Sequence, residues 1–234
     1  MLQEGLGQMY FPTTVIDEFF KEPRMLSSTL DLAKSVEYFR ENENYPGESS
    51  RLRLDEIDPE LNSWVVERIL SQFWDLKSEQ ISWCLSVDFA RTFKLAKKGE
   101  IEGFGVPHQD NESWTGAGIV YLNDIPTEDS GTSLFRLKDK NKFFKRASRE
   151  FVESARNFNA GLQVDNYGQL LADHRNKFEE TMRVQLRPNR LMFYSPQQWH
   201  CQTTYNHEKP RYTMRVFIGA VSAVNTLQYP LLRL

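Results

Sequence analysis

The stretch ISWCLSVDFARTFKL, Ile81 to Leu95, decides the fold class. Ile81, Trp83, Leu85, Val87, Phe89, Phe93 and Leu95 alternate with Ser82, Cys84, Ser86, Asp88, Thr92 and Lys94, and only Arg91 breaks the order. Period two over that length is a long β-strand with one apolar and one polar face. Upstream the period is different. Leu61, Val65, Ile69 and Phe73 recur every four residues, joined by Val66 and Leu70, which predicts an amphipathic helix of roughly four turns. Asp58-Pro59 supplies its start, with proline at the first helical position. Ser27 or Ser28 is placed to cap an earlier helix running through Phe39, and Thr13 to Phe20 reads as a short strand entering a turn.

Downstream, further strands are expected at Gly116 to Asn123, Thr132 to Leu137, Val184 to Leu186, Leu191 to Tyr194 and Arg211 to Ala220. Lys140 to Glu180 reads as a helical or irregular excursion between them. Helices first and strands after give an α+β layout whose sheets close as a sandwich or barrel. Without internal repeats or a Gly/Ser/Pro linker, residues 1–234 form one domain. Within it, 1–80 is a mainly helical support layer, and 81–234 is a β core with an insertion at about 138–183.

Composition bounds the function classes. With 40% hydrophobic and 26% charged residues the chain reads as an ordinary globular protein, and 16 Phe and 5 Trp supply bulky side chains for its interior. A net charge of -3 gives no general attraction to nucleic acid or an anionic membrane. No apolar run reaches the roughly 20 residues that span a bilayer. The start MLQEGLGQMYF lacks a basic segment followed by an apolar one, so no secretory signal is expected. Cys84 and Cys201 form no CxxC pattern, which points to free thiols in a reducing cytoplasm.

The candidate chemistry lies in His108-Gln109-Asp110, which follows the Gly-rich GEIEGFGVP, and in His200 within LMFYSPQQWHCQ. Residues two apart on a strand point the same way, so His108 and Asp110 can meet one ion while Gln109 faces away. Two histidines and one carboxylate are the facial set that leaves metal positions open for co-substrate and dioxygen. Eleven positions after His200, Arg211 opens a strand on which Arg211, Thr213, Arg215 and Phe217 share a face, with Tyr212, Met214, Val216 and Ile218 on the other. Arginine on an enclosed β face needs an anionic partner, and a bidentate carboxylate is the natural one.

In order and spacing, HQDN, IVYLND, SGTSLF, WHCQ and PRYTMRVF resemble the Fe(II)/2-oxoglutarate-dependent dioxygenases of the prolyl-hydroxylase-like branch. VIDEFF leading into a helix, and Tyr45-Pro46-Gly47, extend the likeness into the N-terminal half. The resemblance implies a double-stranded β-helix (a jelly roll, cupin-like) with N-terminal helices packed on one sheet and the metal at one mouth. It implies that His108, Asp110 and His200 ligate Fe(II). Arg211 would clamp the distal carboxylate of 2-oxoglutarate with Thr213 and Tyr121, and Ile119 would wall that pocket. Arg215 is the rival clamp; otherwise it faces an acidic group of the substrate, with Gln202 and Trp114 also on the substrate side. Where the family shows paired glycines, this chain has Ser130-Gly131.

The implied reaction consumes O2 and 2-oxoglutarate, releases succinate and CO2, and hydroxylates an amino acid, a peptidyl side chain or a small metabolite. Oligomeric state is open. Two rivals stand beside it: a cupin-like metalloenzyme that needs no keto acid, and a non-catalytic β-barrel that binds a ligand or partner. His174 is expected on a solvated helix face, His207 in a loop, and Cys201 turned away from the metal. Trp114 and Trp199 are expected in core packing, with substrate stacking the sharper alternative. Lys138 to Arg149 carries six basic residues against Asp139, either a solvated face or a guide for an anionic substrate.

Overall fold

The computed structural model describes residues 11–40, 47–78, 80–93, 105–123, 130–139, 149–159, 162, 164–203 and 209–224. In chain order the elements are β1 (Thr14–Ile16), α1 (Pro23–Ser35), β2 (Tyr38–Phe39), β3 (Gly47–Ser50), α2 (Leu54–Ile57), α3 (Pro59–Leu70) and β4 (Gln80–Thr92). There follow β5 (Gly116–Tyr121), β6 (Gly131–Leu137), α4 (Arg149–Asn159), α5 (Tyr167–Arg175), β7 (Phe178–Gln185), β8 (Leu191–Tyr194), β9 (Trp199–Gln202) and β10 (Arg211–Val224). A seven-stranded sheet has the order β1-β8-β5-β10-β4-β3-β2, and a three-stranded sheet the order β7-β6-β9. All pairings are antiparallel.

The long strand read at Ile81 to Leu95 is β4, and it lies along β10 with Asp88 opposite Arg215. Alternation then sorts the side chains of β10. Met214, Val216 and Ile218 point to the helical layer, where they join Val87, Phe89 and Phe193 under α3. Phe217 points between the two sheets with Ala117, Leu134, Met192 and Tyr194. The helical layer is fixed by aromatic contacts: the Phe11 ring lies 5.1 Å from those of Phe73 and Phe193, and Trp64 stacks on Phe20 at 5.3 Å. Asp58 caps α3 by accepting from the Leu61 amide at 3.0 Å, as the sequence implied.

Two boundaries and one burial differ from expectation. First, α1 starts at Pro23 rather than at a serine cap and stops at Ser35, and Tyr38–Phe39 forms a strand. Pro23 needs no amide partner in the first turn. The Ser27 and Ser28 hydroxyls bond back to the Arg24 carbonyl within the helix instead. Second, the strand expected at Val184 begins at Phe178, so the excursion between β6 and β7 spans 138–177. Most side chains of β7 are exposed, and that polar pattern hid the strand. Third, His174 is 2% exposed, stacked on Phe151 at 4.5 Å and 8°. A helical position among polar neighbours looked solvated because the covering helix α4 could not be placed from sequence.

The glycine pattern at 130–131 has a steric cause: a Cβ on Gly131 would meet the Val184 carbonyl oxygen at 2.0 Å. Tyr45-Pro46, Leu95, His207 and the core of the basic stretch, 140–148, lie outside the described residues. Among the described residues no helix is long and apolar enough to cross a membrane.

Candidate metal centre

His108 and His200 are brought together by backbone. They form an antiparallel bridge, with each amide donating to the other's carbonyl at 2.9 Å, so the His108 segment extends the small sheet beside β9. The Asp110 amide donates to the Pro196 carbonyl at 2.9 Å, which turns its carboxylate toward the two rings. His200 Nε2 lies 3.5 Å from Asp110 Oδ2, and His108 Nε2 lies 3.8 Å from Asp110 Oδ1. Ligand atoms of all three residues fall within 4.8 Å of one another. Gln109 points away and donates to the Gln197 carbonyl.

The tautomers follow from the hydrogen bonds. His108 Nδ1 lies 2.7 Å from the Val106 carbonyl and His200 Nδ1 lies 2.8 Å from that of Gln198. A carbonyl only accepts, so each Nδ1 carries a proton, which leaves Nε2 as the atom of each ring that faces the centre and can ligate when the ring is neutral. Ring nitrogens tied to backbone in this way are the usual support of metal-ligating histidines. The donor set therefore fits a divalent cation that accepts mixed nitrogen and oxygen ligands and keeps open positions.

Electrostatics favour the ligating states of His108 and Asp110, while on His200 a metal must displace the proton that Asp110 favours. Loss of water around the inward-facing edge of the ring and the neighbouring His200 push His108 down to about 4. Burial opposes charge on His200, but Asp110 more than offsets it and holds its pKa above the ordinary value. Burial likewise opposes ionisation of Asp110, yet His200, His108 and Arg215 together hold its carboxyl below the usual range. A neutral His108 and an ionised Asp110 are the states that bind a metal.

The remaining predicted residues lie on or beside β5, β9 and β10. Gln202 lies two positions beyond His200 on β9, about 7 Å along the strand. Its Oε1 accepts from Arg211 Nη2, so it faces the Arg211 guanidinium. Arg211 is 5% exposed and Thr213 3%, with the Thr213 hydroxyl 3.5 Å from the Ala90 carbonyl. Tyr121 pairs with Thr213 across β5 and β10, and its hydroxyl meets Thr132 Oγ1 at 2.7 Å. Burial raises the Tyr121 pKa, and nearby Arg211 tempers the rise. Ile119 lies opposite Arg215 and packs against both Tyr121 and the intersheet cluster.

Arg215 has a carboxylate of its own. Its Nε and Nη2 grip Asp88 at 2.7 and 2.8 Å, and Nη2 also reaches Ser49 Oγ at 2.7 Å. Sequence reasoning put Asp88 on the polar face of β4 but missed this partnership, because cross-strand register is invisible before the topology is known. Trp114 packs on Phe217 at 5.4 Å and over Gly219, where β10 shifts register. Trp199 packs on Phe178 at 4.7 Å. Cys201 is turned from the centre into the cluster of Phe135 and Phe178, where burial raises its pKa to about 12.

Two sheets closed over a two-histidine, one-carboxylate centre define the class: the jelly-roll fold of the non-haem Fe(II)/2-oxoglutarate oxygenases. HygX from Streptomyces hygroscopicus, solved with nickel and 2-oxoglutarate bound, superposes with a TM-score of 0.55 at 13% identity, over 88% of this chain and 82% of that one. The non-haem α-ketoglutarate-dependent epimerase SnoN from nogalamycin biosynthesis gives 0.52 at 13% identity, over 88% and 77%. At such identities the likeness is one of fold. The chain belongs to the DUF6445 family, described as a family of unknown function, whose profile matches residues 3–215. No curated protein matches the sequence.

Proposed function

We propose that this protein is an Fe(II)- and 2-oxoglutarate-dependent dioxygenase of the cytoplasm. Its substrate is an amino acid, a peptidyl side chain or a small metabolite. The observation that carries the reading is the convergence of His108, Asp110 and His200, with both imidazoles held in the ligating tautomer. Fe(II) and O2 would supply the redox chemistry: one oxygen atom enters the substrate C–H bond, the other enters succinate, and CO2 leaves.

The chain's own residues bind and orient. His108 and His200 offer neutral nitrogens and Asp110 an anionic oxygen, which leaves a divalent centre with net positive charge for a chelating keto acid. Arg211, next along the interior from His200, receives the distal carboxylate, and Gln202 holds the guanidinium in that orientation. Thr213 and Tyr121 complete the polar end of the pocket and Ile119 its apolar wall. Arg215, already gripped by Asp88, lines the substrate side as a neutral pair rather than as the clamp. A carboxylate at 110 fills the position that related halogenases leave small for halide, which favours hydroxylation.

Succinate formation from 2-oxoglutarate under air with added Fe(II) tests this reading. It is expected in the parent and absent from His108→Ala and Asp110→Ala. Arg211→Ala should raise the 2-oxoglutarate requirement about tenfold or more, from loss of hydrogen bonds to a charged group. An equal rise in Arg215→Ala with none in Arg211→Ala would move the clamp to Arg215.

A further inference from the structure

The segment that delivers His108 has its carbonyls taken up one after another. The Gly105 carbonyl lies 3.4 Å from Arg175 Nη1, that of Val106 accepts from His108 Nδ1, that of Pro107 lies 3.0 Å from His174 Nε2, and that of His108 accepts from the His200 amide. Two of these four partners come from α5, in the insertion. The same helix pair takes up the Val106 side chain, which packs with Phe151, Ala155, Tyr167 and Leu171. Pro107 has no amide proton, so its carbonyl is the single backbone hydrogen-bonding group that residue carries.

His174 is built into this arrangement. It is 2% exposed, stacked face to face on Phe151 of α4 and 5.2 Å from Phe178 of β7. Because the Pro107 carbonyl can only accept, Nε2 of His174 carries the proton and donates it. One peptide unit later comes His108, whose own Nδ1 bond to Val106 sets the direction of its ligating Nε2.

We propose that the α4–α5 insertion is a brace for the first metal ligand, and that His174 is its positioning residue. It acts through the Pro107 carbonyl and touches neither metal nor substrate. The inference rests on the metal-centre reading above and extends it: metal affinity and the docking of the helix pair are two sides of one equilibrium. Whatever docks the pair tightens the site, and metal in the site tightens the pair.

The test is a calorimetric Mn(II) titration of the metal-free protein. His174→Phe keeps the stack on Phe151 and deletes the donor; its Mn(II) affinity should fall about tenfold or more, the range typical of lost ligand support. His174→Gln, whose amide nitrogen reaches the position of Nε2, should recover to within about threefold of the parent. Parental affinity in His174→Phe overturns the brace, as does equal weakening in both variants, which would make His174 a packing residue only. A second measurement needs no variant. In the parent, Mn(II) should slow amide hydrogen exchange across 167–175, and unchanged exchange there overturns the proposal. A parent that binds no Mn(II) refutes the metal centre itself, a result distinct from a parent and variant that bind alike.

Discussion

The protein has two groups of helices, one on the large sheet and one against the segment before His108, and they are built on different principles. The N-terminal layer, α1 to α3, covers the large sheet with a continuous apolar interface in which Ile69, Phe73 and Phe193 are almost wholly buried. The insertion, α4 and α5, makes a smaller apolar cluster and ties itself down with polar bonds from His174 and Arg175 to the backbone just before His108. An apolar interface resists unfolding but is indifferent to where a ligand nitrogen points. A few directional bonds add less stability and fix a position. The first layer holds the fold together; the second bears on the site.

Changes in each layer can break that contrast. The largest effect is expected from Phe73→Ala, which empties an aromatic site 1% exposed and should lower unfolding free energy by about 3–5 kcal/mol. Mn(II) affinity of the folded fraction should stay at the parent value; a matching fall in affinity would erase the distinction between the layers. Asp58→Ala removes the α3 cap and should cost about 1 kcal/mol in denaturant unfolding, again without effect on the metal.

Of the two groups of helices, mild acid should act on the insertion. Residues 1–80 contain no histidine. Burial holds the His174 pKa below 6.5, with Lys177 and Arg175 adding to the fall and the Pro107 carbonyl opposing it. The unfolded chain therefore binds the proton more readily than the native one, and His174 loses stability for the fold as pH falls below 6.5. Metal-free parent should show a steeper loss than His174→Gln over that range, with His108 and His200 common to both; equal slopes would contradict it. The smallest effect is kinetic. Exposed Cys84 should label quickly with a thiol reagent, while Cys201, buried with its pKa near 12, should wait for the small sheet to be uncovered. Mn(II) should slow only the second reaction.

Much of this was legible in the sequence because periodicity reports burial. The alternation around Val87 and Phe89 gave β4, the four-residue spacing from Leu61 gave α3, and Asp58-Pro59 gave its start. The triad was legible for the same reason: His108 and Asp110 two apart, and His200 within an aromatic strand. What escaped needed a partner in space. Asp88 and Arg215 are 127 positions apart and meet only through the β4–β10 register. His174 sits among polar neighbours in sequence, and nothing local announces Phe151 above it or Pro107 below it. The exposed side chains of β7 hid a strand whose pairing with β6 appears only once the two are brought together.

The measurement that reaches the centre of the account is thermal unfolding with Mn(II), with and without 2-oxoglutarate. Ligands that bind only the native state raise its stability, by about 2.7 kcal/mol at a hundredfold excess over Kd. The metal should raise Tm, 2-oxoglutarate should raise it again only when the metal is present, and Arg211→Ala should abolish the second rise while keeping the first. A metal effect with no response to the keto acid would make the protein a cupin-like metalloenzyme, and no response to either would leave a binding barrel without chemistry.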